Sequence, residues 1–517
     1  MYTFSYMKSR RNILIFTIWI LVLILPYVFG FLSSDHQNIF LGFLINPIDG
    51  LSYLAKMNQG AHGNWLFHLP YSSLPHPKVF LFSFYILIGK ISELFFGDLQ
   101  IGFHFFRILC AIIFFHQINL FVGENFGKSV ISFYLKLGIL FGGGLGWLYL
   151  LTGDIPADFW VAEAFPFLSA FVNPHFIFSL ALLVYILRFA NKEKVTVLDK
   201  IKLGCVAFIL ANISPFAVVI GGLILFGGFL WDLQKTKHIR LFNLMIYSVT
   251  AAPILIYQIQ IVRKIEPLIS WNAQNITPAP KFVNFIFSFS PFLVANLFLL
   301  GLFIIHKLKL NKLQFVLLCW LILAMIFVYL PLDLQRRFLV GFFFGTIVLF
   351  FSLLTTLYDE ELISMPKMKR LLLIITILII PSNLILLTGA VSATAQQNEN
   401  LFVQSSLIQV SDWLNEFGLP DGVVLTEEQE GLILPAFTYQ RVMLGHPFET
   451  PEFEITLAQV NAFFADSFTV TPEYFYEQFN IDYVLINKIK WEKLKSKFFS
   501  HVPVFENDDY LLFQVHQ

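Results

Sequence analysis

The acid Asp49 stands a short way beyond the first long apolar segment of the chain, within the run Asn46–Gly50. Acids are costly in or near hydrocarbon, so an acid kept at the mouth of an apolar helix bundle is a functional candidate. A carboxylate near a low-dielectric region has a raised proton affinity, which suits a general base that takes a proton from an acceptor hydroxyl. The alternative is a helix N-cap, because Asn-Pro-x-Asp is favourable turn chemistry.

Two further residues bear on this acid. Tyr53 lies four residues after Asp49, so the two side chains share one face if the segment is helical, and we expect Tyr53 to contact a bound substrate. Asp35 is the other acid of the same segment and follows Ser33 and Ser34. We expect Asp35 to cap a local turn rather than to act as a base.

A second group of acids lies in the segment 152–166, which contains Asp154, Asp158 and Glu163 and no basic residue. Oxygen ligands of this kind suit a divalent cation, the one cofactor left open, and Asp49, Asp158 and Glu163 would be its ligands. Asp158 and Glu163 are also candidate catalytic residues beside Asp49. The alternative for the group is an ordinary solvated loop.

The basic residues Arg336 and Arg337 follow Gln335 at the head of an apolar run. Arginine matches phosphate oxygens with two parallel hydrogen bonds, so the pair predicts a phosphate site, with Gln335 beside it. The alternative is an interfacial anchor whose side chains extend to lipid headgroups. Arg107 lies inside another apolar run, where it would pair with an acid or with the same phosphate.

Several uncharged side chains are candidates for contact with a sugar. Trp271, Gln274 and Asn275 offer an aromatic face and two amides, with an interfacial tryptophan as the alternative. His175 is a further binding candidate, although a structural histidine is the better interpretation. The run Gly142–Gly144 predicts close helix approach and lacks the Lys-Ser/Thr of a phosphate loop.

The elements that position these residues follow from composition. The chain has 517 residues, of which 57% are hydrophobic, 17% aromatic and 13% charged, and its formal net charge is zero. This composition is typical of a multi-pass membrane protein, and the charge gives no case for nucleic-acid binding. The three cysteines lie in apolar runs without disulfide or metal-ligand spacing.

Apolar runs long enough to span a bilayer predict the membrane segments. The runs are 12–32, 101–121, 129–151, 167–189, 203–231, 241–262, 283–306, 314–331, 338–357 and 371–391. Run 203–231 is broken before Pro215, so we expect two crossings there, whereas run 79–97 contains Lys90 and Glu93 and is predicted to be an interfacial helix. Basic loops then place the N-terminus in the cytoplasm and the C-terminus outside after about 11 spans.

The tail 397–517 has frequent charges and no long apolar run. Its patterns predict a helix over 407–417, helices near 452–465 and 472–479, and strands over 422–425, 441–444, 483–486 and 510–515. The predicted organisation is a helical membrane module, 1–396, whose first external loop is 33–100, followed by a small extracytoplasmic α/β domain, 397–517.

The order of these features resembles the C-type (GT-C) membrane glycosyltransferases, whose members include protein O-mannosyltransferases, the aminoarabinose transferase of lipid A and oligosaccharyltransferases. The resemblance covers most of the chain, and it depends on the order and the shared external placement of several short stretches. These are NPIDGLSYLAKM (46–57), FHFFRIL (103–109), GGGLGWL (142–148), PADFWVAE (156–163), NPHF (173–176), WNAQNITPAP (271–280), QRRFLVG (335–341) and TYQRVMLGHPFETPE (438–452).

The resemblance implies an integral protein of the bacterial cell (inner) membrane that takes a sugar from a polyprenyl-phosphate carrier and transfers it to an acceptor, which is a glycan, a lipid or a protein. It assigns the acid of the first loop to Asp49, an assisting acid to Asp158 or Glu163, and the carrier phosphate to Arg336 or Arg337. Many members have two adjacent acids after the first span. Here Asp35 and Asp49 are 14 residues apart, so which acid acts stays open.

Two other functions compete with this interpretation. A transporter or flippase of lipid-linked sugars would carry charges deep in several spans, whereas here most spans have none. The second is a catalytically inactive relative that acts as a scaffold or sugar sensor through the tail, and the separation of the first-loop acids keeps this alternative open. Membrane lipids are expected partners in every case.

Overall fold

The computed structural model describes residues 10–127, 129–235, 241–465, 471–495 and 502–515. The chain divides into two compact units, each made of three stretches. Unit 1 is Met1–Pro26, Phe106–Leu255 and Thr277–Ser392, and unit 2 is Tyr27–Phe105, Ile256–Ile276 and Ala393–Gln517. The predicted boundary at 396/397 lies near the last of these divisions, but unit 2 also contains the first loop. The basic residues Lys237 and Arg240 of a predicted cytoplasmic loop lie outside the described residues.

Eight helices of the described chain are long and apolar enough to cross a membrane, which makes this a multi-pass membrane protein. They are Arg10–Leu32, Leu99–Asn125, Pro174–Asn191, Pro215–Lys235, Leu241–Val262, Lys312–Tyr329, Gln335–Asp359 and Met365–Ala395. Two bent helix pairs raise the count to ten, namely Val130–Phe141 with Gly146–Thr152 and Phe282–Phe289 with Phe292–Ile305.

The predicted count of about 11 includes one more crossing, a helix at the short end of the length that can span a bilayer. The run 203–231 is divided before Pro215 as predicted, because proline removes a backbone donor and ends the preceding helix. The first of the resulting helices, Val197–Ile213, has only 17 residues. The remaining short helices of unit 1 are Ala157–Phe159 and Pro166–Val172.

The predicted run 79–97 contains the helix Ser83–Phe96. This helix packs against Pro47–Ala61 in unit 2. Two glycines let the backbones touch. A Cβ on Gly60 would lie 2.1 Å from the Ile86 carbonyl oxygen, and one on Gly89 would lie 1.8 Å from that of Met57. Close crossings of this kind are what small residues permit in apolar helix pairs.

The glycine run of unit 1 lies in a break between helices. Val130–Phe141 ends at Gly142, and the next helix starts at Gly146. A Cβ on Gly144 would lie 1.8 Å from the carbonyl oxygen of Ser288, so the predicted close approach is confirmed. The approach is made by a bend of 45° between two helices and not by a continuous helix.

The tail forms a five-stranded sheet with strand order β4-β3-β5-β7-β6. Its strands are β3 (Val423–Leu425), β4 (Arg441–Val442), β5 (Tyr483–Asn487), β6 (Phe505–Glu506) and β7 (Tyr510–Gln514), and the pairs β3–β4 and β3–β5 are parallel. Parallel neighbours need crossover connections, which helices supply here. The helices of the tail and of its partner segment in unit 2 are Glu266–Gln274, Ser405–Phe417, Glu428–Phe437, Phe453–Phe464, Pro472–Phe479 and Lys488–Leu494.

The predicted strands and helices of the tail are confirmed within a few residues, and Glu428–Phe437 is an additional helix. A second, two-stranded sheet joins distant parts of unit 2. Strand β1 (Asn38–Phe40) pairs in antiparallel register with β2 (Phe402–Gln404). The first loop and the tail are therefore hydrogen-bonded to each other inside unit 2.

Gly89→Ala should lower the free energy of unfolding by about 1–3 kcal/mol, because the added methyl group forces two backbones apart. The matched control is Gly389→Ala, at a helical glycine with no atom within 4 Å of the new Cβ. That substitution should stabilise by about 0.5–1 kcal/mol. Thermal unfolding of the detergent-solubilised protein checks both, and equal midpoints for the two variants would contradict the close crossing.

Candidate functional site

The helix Pro47–Ala61 presents Asp49 in its first turn. Its N-cap is Asn46, which has a left-handed backbone (φ 52°), and Pro47 begins the helix with the φ angle that proline favours. The Asn46 side-chain amide donates to Asp49 Oδ2 at 2.5 Å. The N-cap interpretation of Asp49 is therefore wrong, since Asn46 takes that position. The carboxylate of Asp49 is 38% exposed and remains accessible to a substrate.

His446 lies beside this acid. Its ring is 2% exposed, and its Nε2 is 3.6 Å from Asp49 Oδ1. The backbone N–H of Phe448 donates to His446 Nδ1 at 3.1 Å, so a neutral imidazole carries its proton on Nε2. Within the described residues His446 Nε2 is buried and has no hydrogen-bond partner, and the Asp49 carboxylate at 3.6 Å is beyond hydrogen-bond length. Tyr71 packs against the other side of the imidazole, with ring centroids 5.6 Å apart.

A buried charged cluster lies on the same helix face. Lys56 is fully buried, and its Nζ is 2.7 Å from Glu449 Oε1. Ser52 Oγ donates to the same carboxylate oxygen at 2.6 Å and accepts from Lys56 Nζ. Asp49, Ser52 and Lys56 are at helix positions i, i+3 and i+7, so they share one stripe of the helix.

The charges of this cluster support one another. Burial alone would raise the pKa of Glu449, but the positive charge of Lys56 and the hydrogen bonds from Lys56 and Ser52 outweigh it and hold the pKa below the ordinary value. Glu449 is therefore ionised at neutral pH and neutralises the buried ammonium group. Burial raises the pKa of Tyr71 well above its ordinary value, so its hydroxyl stays protonated.

Sequence reasoning missed Lys56, His446 and Glu449 as site residues, although all three lie in stretches that carry the family resemblance. One signal was available: Lys56 lies on the same helix face as Asp49, two turns further along. A lysine on the polar stripe of a mostly apolar helix requires a partner. The identity of that partner, 393 residues further along the chain, is not visible in local sequence.

The other candidates of unit 2 have mainly packing contacts. Tyr53 stacks on Tyr85 with ring centroids 4.4 Å apart, and Trp271 contacts Phe82 edge-on at 6.0 Å. The Gln274 amide donates to the Thr450 carbonyl oxygen, which ties its helix to the segment that contains Glu449. Asn275 is half-buried at the end of that helix. Their contact with a sugar stays a prediction.

Asp35 caps a turn, as predicted. Its Oδ1 accepts from the backbone N–H groups of Gln37 and Asn38, each at 2.8 Å, and its Oδ2 accepts from the Gln397 amide at 2.9 Å. The hydrogen bonds from Gln397 and from the backbone lower the pKa of this carboxyl. Asp49 differs from Asp35 in its neighbours, which include the Asn46 amide and the His446 ring.

In unit 1, Asp158 binds backbone N–H groups of the glycine-rich break between the two helices. It is 1% exposed, and its Oδ2 accepts from the backbone N–H groups of Gly144 at 3.0 Å and Gly146 at 3.2 Å. A Cβ on Gly146 would lie 1.8 Å from Asp158 Oδ1, so the carboxylate needs glycine there. Burial raises the pKa of Asp158 to about 6. These contacts favour a structural role over catalysis.

Glu163 lies between the two predicted phosphate-binding arginines. Its side chain is 3% exposed, with Oε1 at 3.4 Å from Arg336 Nε and 3.6 Å from Arg337 Nη1. The Arg336 guanidinium also stacks on Trp160, 4.7 Å from the ring centroid. Gln335 supports this segment, since it accepts from the Ala279 N–H at 3.0 Å and donates to the Leu330 carbonyl oxygen at 2.6 Å.

The acids of 152–166 do not form one patch. Asp154 pairs with Lys281 at 3.2 Å, Asp158 binds glycine N–H groups and Glu163 faces arginines. Within the part of the chain that the structure describes, no three His, Cys, Asp or Glu side chains are gathered as they would be around a metal ion. A divalent cation held by Asp49, Asp158 and Glu163 stays untested.

The two remaining candidates of unit 1 are buried. Arg107 is 1% exposed and donates to the carbonyl oxygens of Ala170 at 3.1 Å and Leu23 at 3.0 Å. His175 is 9% exposed and lies against Phe176, with ring centroids 4.0 Å apart. The contacts of Arg107 join separate segments of unit 1, and both residues are buried, which favours the structural interpretation of the two.

No protein-family model matches the sequence, and no curated protein sequence matches it. Solved structures with a similar course of the chain include ArnT from Cupriavidus metallidurans bound to undecaprenyl phosphate, at 13% identity and a TM-score of 0.49, with 95% of this chain and 97% of that chain covered. The apo state of that ArnT matches at 12% identity and a TM-score of 0.48, over 96% and 98%.

The Archaeoglobus fulgidus oligosaccharyltransferase in complex with zinc and sulfate also matches, at 13% identity and a TM-score of 0.49, over 93% of this chain and 69% of that chain. The likeness concerns the course of the chain, and no residue's role is taken from it.

Glu449→Gln should lower the free energy of unfolding by about 3–5 kcal/mol, because it leaves the Lys56 charge buried without its counterion. The double variant Lys56→Met/Glu449→Gln should recover much of this loss in thermal unfolding. Glu454→Gln, at an exposed acid of the same tail, is the matched control and should change little. Additive losses in the double variant would contradict the coupling.

Asp158→Asn should flatten the pH dependence of stability in the acidic range. The folded-state pKa of about 6 lies above the ordinary value of 3.8, so the folded state binds the proton more tightly and stability falls as pH rises from about 4 to about 6. Unfolding midpoints at several pH values should show a smaller fall for Asp158→Asn than for wild type. Asp154→Asn, at an exposed acid, should keep the wild-type slope.

Proposed function

We propose that this protein is an integral membrane glycosyltransferase that transfers a sugar from a polyprenyl-phosphate carrier to an acceptor at the extracytoplasmic face of the cell membrane. The observation that carries the proposal is the pairing of Asp49 with His446. An accessible carboxylate faces a buried imidazole whose proton position is fixed by the Phe448 N–H. This is the arrangement that a positioned general base requires.

In the proposed reaction the acceptor oxygen attacks the anomeric carbon of the donor sugar. The bond between that carbon and the phosphate oxygen breaks, and its electron pair leaves with the polyprenyl phosphate. The acceptor proton passes to the carboxylate of Asp49, which the Asn46 side-chain amide holds by a hydrogen bond and which has His446 Nε2 as a neighbour at 3.6 Å. Direct displacement from the face opposite the phosphate would invert the anomeric centre.

The Lys56–Glu449 pair supports this chemistry indirectly. Lys56 lies two turns after Asp49 on the same helix, and Glu449 lies three residues after His446. The ion pair therefore joins the helix of Asp49 to the segment of His446. A base must be held in place to within a fraction of an ångström for efficient proton transfer. We assign Lys56 and Glu449 as positioning residues and not as catalytic residues.

The carrier phosphate is assigned to Arg336 and Arg337. Their side chains are 18% and 26% exposed, and two guanidinium groups face a single carboxylate. Guanidinium groups bind phosphate oxygens through charge-assisted hydrogen bonds. The long apolar helices of unit 1 provide the surroundings in which a polyprenyl chain is soluble.

Asp49→Asn should reduce sugar transfer by about 10²–10⁴-fold, because the amide cannot accept the proton of the acceptor. The assay is transfer from a panel of radiolabelled polyprenyl-phosphate sugars by the purified protein in detergent. Binding of the carrier should persist in the variant, since Asp49 is not assigned to the phosphate.

Asp35→Asn is the matched control, because this acid of the same loop only caps a turn. It should retain nearly wild-type transfer. Equal turnover by wild type and Asp49→Asn would remove Asp49 as the base, and no turnover with any donor would favour the transporter or scaffold function.

A further inference from the structure

We propose that Glu163 sets the charge preference of the Arg336–Arg337 phosphate site. The site would then favour a singly charged phosphodiester, such as the sugar-loaded carrier, over the doubly charged phosphomonoester of the spent carrier. This inference rests on the carrier-phosphate role proposed above, and it assigns to Glu163 a selecting role and not a catalytic one.

The geometry shows a cluster that is not saturated by its own contacts. Glu163 Oε1 is 3.4 Å from Arg336 Nε and 3.6 Å from Arg337 Nη1, beyond the length of a strong charge-assisted hydrogen bond. Within the described chain, neither Glu163 Oε1 nor Arg336 Nε has a hydrogen-bond partner, although both atoms are buried. These two buried atoms face each other as an ion pair, so a ligand would meet the exposed remainder of the two arginine side chains.

The position of the three side chains makes the arginines available to such a ligand. Glu163 is 3% exposed, whereas Arg336 and Arg337 are 18% and 26% exposed. The ring of Trp160 covers one face of the Arg336 guanidinium, which leaves its edge for hydrogen bonding. An anion can therefore reach the guanidinium edges while Glu163 stays behind them as a fixed negative charge.

The charges of the cluster decide which anion fits. One carboxylate and two guanidinium groups sum to a single positive charge. A phosphodiester carries one negative charge and neutralises it, whereas a phosphomonoester carries about −1.5 to −2 at neutral pH. The desolvation cost of an ion grows steeply with its charge, so an excess negative charge in a partly buried site is unfavourable.

In the proposed reaction this difference separates substrate from product. The donor is a phosphodiester, because its phosphate is esterified both to the polyprenyl chain and to the sugar. Transfer of the sugar leaves a phosphomonoester. A site with one net positive charge holds the donor and releases the spent carrier, whereas two unopposed arginines would retain the product and slow turnover.

Glu163→Gln should shift the ratio of monoester to diester affinity about tenfold or more toward the monoester, because it removes the negative charge that opposes the dianion. The probes are geranyl phosphate and geranyl methyl phosphate, with binding measured by calorimetry on the intact protein in detergent at pH 8. Glu163→Asp retains the charge and should keep the wild-type ratio. Asp154→Asn, at an exposed acid of the same segment, should also keep it.

An unchanged ratio in Glu163→Gln would overturn the inference. Loss of binding of both probes in that variant would also overturn it, since Glu163 would then be needed only to shape the site. The measurement involves no turnover, so it tests the selecting role even if no sugar is transferred. Conversely, active transfer together with an unchanged ratio would remove this inference alone.

Discussion

The buried ion pair between Lys56 and Glu449 is the interaction on which the candidate catalytic arrangement of unit 2 depends. A charge placed inside a protein must meet a counterion, because its desolvation costs several kcal/mol. Here the ion pair joins the helix Pro47–Ala61 to a segment of the tail, and Ser52 donates a hydrogen bond to the Glu449 carboxylate. His446 lies three residues before Glu449, so this join also sets the distance between His446 and Asp49.

Unit 1 uses buried charge in a different way. Asp158 Oδ2 accepts from two backbone N–H groups at a helix break, which is a structural arrangement. Glu163 Oε1 instead faces the side chains of Arg336 and Arg337. Each acid has one buried oxygen without a hydrogen-bond partner in the described residues, so the two differ in the groups they face. The acid that lies among guanidinium groups is the better candidate for a site that binds an anion.

Much of the fold was predictable because its determinants are local. Pro215 separates two helices, and short runs of apolar residues mark the strands of the tail. The candidate site was predictable only in part: Asp49 stands out by its position, but the sequence does not show that His446 lies beside it. The pairing of Lys56 with Glu449 spans 393 residues and depends on tertiary structure. Arg107 looked functional because carbonyl groups that satisfy a buried guanidinium leave no trace in sequence.

The composition of unit 2 from three separate stretches has a consequence for biosynthesis. Strand β1 pairs with β2 near the far end of the chain, and the partners of Asp49 and Lys56 lie in the tail as well. Chains are synthesised from the N-terminus, and contacts between distant residues form late. The first loop therefore lacks its partners from the tail while the helices between the two are synthesised. A ribosome that stalls before the tail would leave a chain that has its membrane helices but lacks His446 and Glu449, the tail residues of the candidate site.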